Sequence, residues 1–115
     1  MEQNRSICPK FERAFQIIGK KWNGLIIEVL TRGETHFNRI AEAIPDLSDR
    51  MLAARLRELE QLAVVERIVE AAPGFPVRIR YRLTEKGREI QPILEAVHNW
   101  AEKWDTASVF DLETK

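Results

Sequence analysis

A single cysteine, Cys8, occurs among the 115 residues, so no disulfide can close within one chain. A reducing compartment suits such a chain, and the cytoplasm is the expectation. Residues 1–6 lack the apolar stretch of a secretory signal. No apolar run approaches the roughly 20 residues that a membrane-crossing helix needs, so no membrane partner is expected. The two histidines, His36 and His98, lie far from each other and from Cys8 in sequence. That spacing offers neither a metal-ligand set nor a nucleophile with its base. The five glycines are scattered, which excludes a glycine-rich phosphate loop. An enzyme is therefore not expected, and neither is a cofactor or a metal.

What is present fits one globular domain over residues 1–115, with residues 105–115 as a tail. The hydrophobic fraction is 44% and the charged fraction 31%, values of a folded rather than a disordered chain. The formal net charge is zero, but its distribution is uneven. Residues 50–88 carry nine basic against five acidic side chains, and residues 89–115 carry two against six. Such segregation points to a basic working surface and an acidic segment elsewhere.

Hydrophobic spacing orders the chain. Phe11, Ala14, Phe15 and Ile18 mark a first helix opened by Pro9 and ended by Gly19. Trp22, Leu25, Ile26, Val29 and Leu30 mark a second, closed by Gly33. Phe37, Ile40, Ala41 and Ile44 mark a short third, stopped at Pro45. Ser48 then caps a fourth over residues 48–62, with Leu52, Leu56, Leu59 and Leu62 as its buried stripe. Residues 64–69 are rich in β-branched side chains and predict a strand. Residues 71–76 make a turn-rich loop. Residues 77–83 alternate, with Val77, Ile79, Tyr81 and Leu83 on one face and Arg78, Arg80 and Arg82 on the other. Thr84 is predicted to cap one long last helix reaching Trp104, striped by Ile90, Ile93, Leu94, Val97, Trp100, Ala101 and Trp104. The expected fold is mainly α with a small β-hairpin, in the order α-α-α-α-β-β-α. Two short helices, a tight turn and a basic hairpin make a winged helix-turn-helix pattern.

Three groups of residues carry the chemistry. On the fourth helix, the side opposite the leucines presents Arg50, Ala54, Arg57 and Gln61, with Ala53 at its edge. Small residues between arginines suit the floor of a DNA major groove: alanine admits the backbone and touches a thymine methyl, and arginine forks onto guanine or clamps a phosphate. Ser48, at a helix N-terminus, favours a nearby phosphate. A solvated helix face with ion pairs such as Arg55–Glu58 is the plainer reading of the same residues. On the hairpin, Arg78, Arg80 and Arg82 repel one another unless an anion lies close, and a DNA backbone or minor groove supplies one. An edge strand charged against aggregation is the alternative. Arg39, on the exposed side of the third helix, is a further phosphate candidate.

The first and last helices hold more apolar surface than a small domain covers. Phe11, Phe15, Ile93, Val97, Trp100 and Trp104 predict a homodimer interface, unless they fold back into the chain's own core. A pocket for an aromatic effector lined by Trp22, Trp100 and Trp104 is the other alternative. Cys8 precedes Pro9 at a helix start, where free N–H groups favour an anionic sulfur and so raise its reactivity. The alternative there is a small buried hydrophobe.

These residues also resemble a known family. Its carriers are Cys8-Pro9; Ile18-Gly19-Lys20-Lys21-Trp22; Gly33 to Phe37; the run from Ile44 through Ser48-Asp49-Arg50-Met51-Leu52; Arg55-Leu56-Arg57-Glu58-Leu59-Glu60; Arg80-Tyr81-Arg82-Leu83-Thr84-Glu85-Lys86-Gly87; and Trp100. The chain resembles the HxlR-type winged helix regulators, relatives of the MarR type. The resemblance implies a homodimer built from the first and last helices. It implies the Ser48 helix in the major groove, the Arg78 to Arg82 hairpin as wing, and repression or activation of transcription. It further implies sensing of quinones, aldehydes or oxidants at Cys8, the electrophile being the small effector. Three positions depart from the family pattern. Lys20 stands where a second glycine is usual, Arg80 where an acidic residue is common, and Arg82 where a small one is. The remaining alternative, from a different class, is a winged helix that binds protein and not DNA.

Overall fold

The computed structural model describes residues 8–104. The tail expected over residues 105–115 lies outside them. The elements run α1 (Pro9–Ile18), α2 (Asn23–Thr31), β1 (Thr35–His36), α3 (Phe37–Ala43), α4 (Asp49–Gln61), β2 (Val65–Glu70), β3 (Arg78–Leu83), α5 (Glu85–Arg88) and α6 (Gln91–Trp104). This is a winged helix, mainly α, and it departs from expectation twice.

The β-structure is a three-stranded antiparallel sheet ordered β1-β3-β2 rather than a hairpin alone. Thr35 pairs with Tyr81 and His36 with Arg80. A two-residue strand has no periodicity to show in sequence, so β1 exists only because β3 offers it an edge. The single long helix expected after Thr84 is in fact two, α5 and α6. Pro92 explains the break. It has no N–H to give to the Arg88 carbonyl that a continuous helix would set opposite it, and its ring is tolerated only in the first turn of a new helix.

The core lies between the helices and one face of the sheet. Ile26, Ile27, Leu30, Ile40, Ile44, Leu47, Leu52, Leu56, Leu59, Val64, Val65, Leu83 and Leu94 are buried together. Each fully buried aliphatic side chain contributes about 1.5–3 kcal/mol, so the α4 leucines alone anchor that helix firmly. Leu62, expected in the same stripe, is half-buried at its end. Polar contacts fix the corners. Asn23 is fully buried and its Nδ2 donates to the Ile17 carbonyl at 2.9 Å, tying the end of α1 to the start of α2.

Candidate nucleic-acid interface

α4 begins as its sequence predicts. Ser48 has extended backbone angles, and its hydroxyl accepts the Met51 N–H at 3.1 Å. Before it, Ile44 and Leu47 are buried, and the Leu47 N–H donates to the Ile44 carbonyl at 3.0 Å. Those two anchors hold the turn between α3 and α4. With 13 residues α4 is about 20 Å long, enough to lie along a major groove. Leu52, Leu56 and Leu59 face inward. Arg50, Arg57 and Gln61 are exposed on the other side, and Ala53 and Ala54 are half-buried between the two. Among the described residues, neither Arg50 nor Arg57 forms an ion pair. Arg55 does, reaching Glu58 at 3.4 Å, as the plainer reading of this helix expects. Arg39 is exposed on α3.

The wing differs from its sequence-based picture. Antiparallel register sets Glu66 opposite Arg82 and Glu70 opposite Arg78, so the arginine face carries its own carboxylates. Arg82 Nε donates to Glu66 Oε1 at 3.0 Å. Arg80 donates to Glu70 at 2.8 Å and also to Glu34. Glu34 further lies 3.9 Å from Arg82. Mutual repulsion therefore does not oblige this face to seek an external anion. Glu34 could not have been found from the strand, because it comes from the segment after α2. Glu66 could have been, by laying 64–69 against 77–83 in hairpin register, and Glu70 by extending that strand one residue.

Cys8 is exposed at the N-cap of α1, rather than buried. Phe11 and Phe15 stack on the same helix with centroids 5.6 Å apart. Both remain exposed, as do Ile93, Val97, Trp100 and Trp104 of α6. These aromatics do not fold back into the core. The aromatic pocket is only partly as expected. An apolar cavity of about 430 Å³ opens between α1, α2 and α6. Trp22, Phe15, Leu25 and Val97 line it, and neither Trp100 nor Trp104 does. At its rim His98 Nε2 lies 2.7 Å from Glu28 Oε2.

Two links were not foreseen. Lys20, the residue standing in for a glycine, donates to both carboxylate oxygens of Glu58 at 3.0 and 3.2 Å. That contact joins the corner after α1 to α4. At the same C-terminal end of α4, Lys86 donates to the Leu62 carbonyl at 2.8 Å. Among the described residues no cluster of metal-ligating side chains occurs. No described helix is long and apolar enough to cross a membrane.

A family model, HxlR-like helix-turn-helix, matches residues 17–109, which include α3, α4 and the wing. The chain belongs to the HxlR-like helix-turn-helix family. Among its relatives is the HTH-type transcriptional regulator YodB of Bacillus subtilis. The two are 48% identical over 99 residues, spanning 86% of this chain and 87% of YodB. The crystal structure of quinone-bound YodB superposes with a TM-score of 0.73 at 46% identity, covering 84% of this chain and 99% of that one. The redox regulator HypR in its oxidised form gives 0.75 at 35% identity, covering 84% and 96%. This HxlR-like chain is thus a transcriptional regulator with a helix-turn-helix fold, and not an enzyme.

Proposed function

We propose that this regulator acts in the cytoplasm as a homodimer that reads a palindromic operator with α4. Ser48, Arg50, Ala53, Ala54, Arg57 and Gln61 meet the major groove, and Arg39 and Arg78 meet phosphates. Arg80 and Arg82 serve mainly as struts of the wing. The observation that carries this reading is the outward side of α4. Two arginines with no ion pair among the described residues stand there beside small side chains, on a helix held from behind by three buried leucines. A protein-binding module would have no need to keep those guanidinium groups unpaired. The test is titration of a duplex selected from a random pool by the purified protein. Arg57→Ala is expected to weaken binding by about 1–3 kcal/mol, and wild-type affinity to fall steeply with added salt. Salt-independent binding, or full affinity in the variant, would sink the reading.

The signal acts at Cys8. The thiol is exposed at the start of α1, one turn from the Phe11–Phe15 face that would meet a second protomer. With a quinone the sulfur adds to an electron-poor ring carbon. One S–C bond forms at the cost of a ring C=C, the thiol proton ends on one ring oxygen, and the hydrogen of the attacked carbon moves to the other, so the quinone is reduced to a hydroquinone thioether. An adduct there displaces α1, and the Asn23–Ile17 and Lys20–Glu58 contacts carry the displacement to α4. The relatives support this: YodB has been seen quinone-bound, and HypR is a redox regulator. The cavity beside Trp22 favours a second reading, in which an aromatic effector binds without a covalent bond. Cys8→Ser separates the two. Quinone is expected to release wild-type protein from DNA and leave the variant bound, whereas equal release of both removes the thiol mechanism.

A further inference from the structure

The wing tip is apolar and exposed, and the reading above gives Phe75 no part. On the sheet face that carries buried Val65 and Leu83, the register continues outward through Arg67 opposite Tyr81 and Val69 opposite Ile79. Toward its tip this face is exposed among the described residues. Val69 is 50% exposed, Val77 59% and Phe75 74%. The turn beneath Phe75 is ordered. Its N–H donates to the Ala72 carbonyl at 3.1 Å, and Gly74 supplies a left-handed φ of 81°. Pro73 and Pro76 restrict the backbone on either side. An exposed aromatic on a turn already stiffened loses little freedom when it binds.

Charge at the tip points to the occupant. Of the hairpin arginines, Arg80 and Arg82 are held by Glu34, Glu66 and Glu70. Arg67 and Arg78 form no ion pair among the described residues. The wing's uncompensated positive charge thus flanks its apolar tip. The exposed face also lies on the side of the sheet where α4 packs. An apolar wedge between arginines fits a minor groove, whose walls are sugar, whose potential is negative, and whose base steps can be parted by an inserted side chain.

We infer that Phe75 enters the minor groove flanking each half-site and reads its width and deformability, with Arg67 and Arg78 on the adjoining phosphates. This rests on the reading of α4 as the major-groove element. The test uses full-length protein and the selected duplex, with affinity measured over a range of salt and the minor groove mapped by hydroxyl-radical footprinting. Phe75→Ser is expected to weaken binding about tenfold, the size of one lost base-pair contact. It is also expected to keep the salt slope and lose protection on the outer flank of each half-site. Arg78→Ala is expected to reduce the salt slope by about one, as a lost phosphate contact does, and Arg82→Gln to leave it unchanged. The exposure of Phe75 lets the variant fold, which its melting curve checks. Wild-type affinity and footprint in Phe75→Ser would overturn the inference, as would a variant that binds DNA fully but loses oligomeric mass. Arg57→Ala is measured alongside. If it loses binding where Phe75→Ser does not, only the wing inference falls; if neither does, the reading of α4 falls with it.

Discussion

Gly87 sits where a methyl group has no room. A Cβ built there would lie 2.2 Å from the Val64 carbonyl oxygen and 3.1 Å from Leu83 Cδ2. The neighbouring Thr84 explains why the approach is so close. Its N–H donates to the Val64 carbonyl at 3.0 Å. Its hydroxyl donates to the Ala63 carbonyl at 2.6 Å and accepts the Gly87 N–H at 3.0 Å. One threonine and one glycine thereby clamp the start of α5 onto the chain that leaves α4. The Leu-Thr-x-x-Gly run is thus a structural device that fixes where α4 ends. Gly87→Ala is expected to cost about 1–3 kcal/mol, because the added carbon meets backbone and not a side chain that can rotate away. Urea denaturation of the two proteins checks this, and an unchanged midpoint would mean that the clamp yields freely.

At the scale of elements, α4 ends in a left-handed turn that its sequence does not advertise. The Ala63 N–H donates to the Glu60 carbonyl at 3.0 Å and the Val64 N–H to the Leu59 carbonyl at 2.9 Å. Ala63 holds a φ of 62° between them. This is the pattern in which glycine usually stands, since a Cβ in that conformation crowds the following carbonyl. Ala63→Gly relieves that crowding and gives back part of it as freedom of the unfolded chain. The net expectation is a gain of about 0.5 kcal/mol, read as a higher melting temperature with operator affinity unchanged. A fall in melting temperature would show that the Ala63 methyl packs usefully. Elements with strong local signals were legible in the sequence: the Ser48 cap, the leucine stripe of α4, and the alternation of β3. What stayed hidden depended on distant partners or on one overlooked residue. β1 needs β3 beside it, Glu34 meets Arg80 across 46 positions, and the split of the last helix turns on Pro92. The candidate site followed the same rule. The outward arginines of α4 could be read from helical spacing. The neutralised face of the wing needed the fold, because strand register decides which charges meet.

For the whole molecule, the largest unspent resource is apolar surface on α1 and α6. Phe11, Phe15, Ile93, Val97, Trp100 and Trp104 are each at least 47% exposed among the described residues, and an apolar patch of this kind marks an interaction site. A second copy is the economical cover, because a two-fold axis lets one patch satisfy itself. In the proposed dimer the same axis would set two α4 helices apart by a helical turn of DNA, about 34 Å, or a multiple of it, so assembly and operator symmetry would be one property. Trp100→Glu tests both together. A two-fold interface repeats every substitution, so one change brings two carboxylates into the same apolar seam. The side chain is 58% exposed in the single chain, so the fold itself should survive, with circular dichroism unchanged. Sedimentation equilibrium is expected to give the 13.4 kDa of one chain, against twice that for the wild type. On DNA, the variant should keep its weak affinity for an isolated half-site and lose the added affinity that a full palindrome confers. If the variant sediments as wild type, this patch is not the dimer seam. If it is monomeric yet binds the palindrome at full strength, the two-fold geometry of the operator complex is wrong.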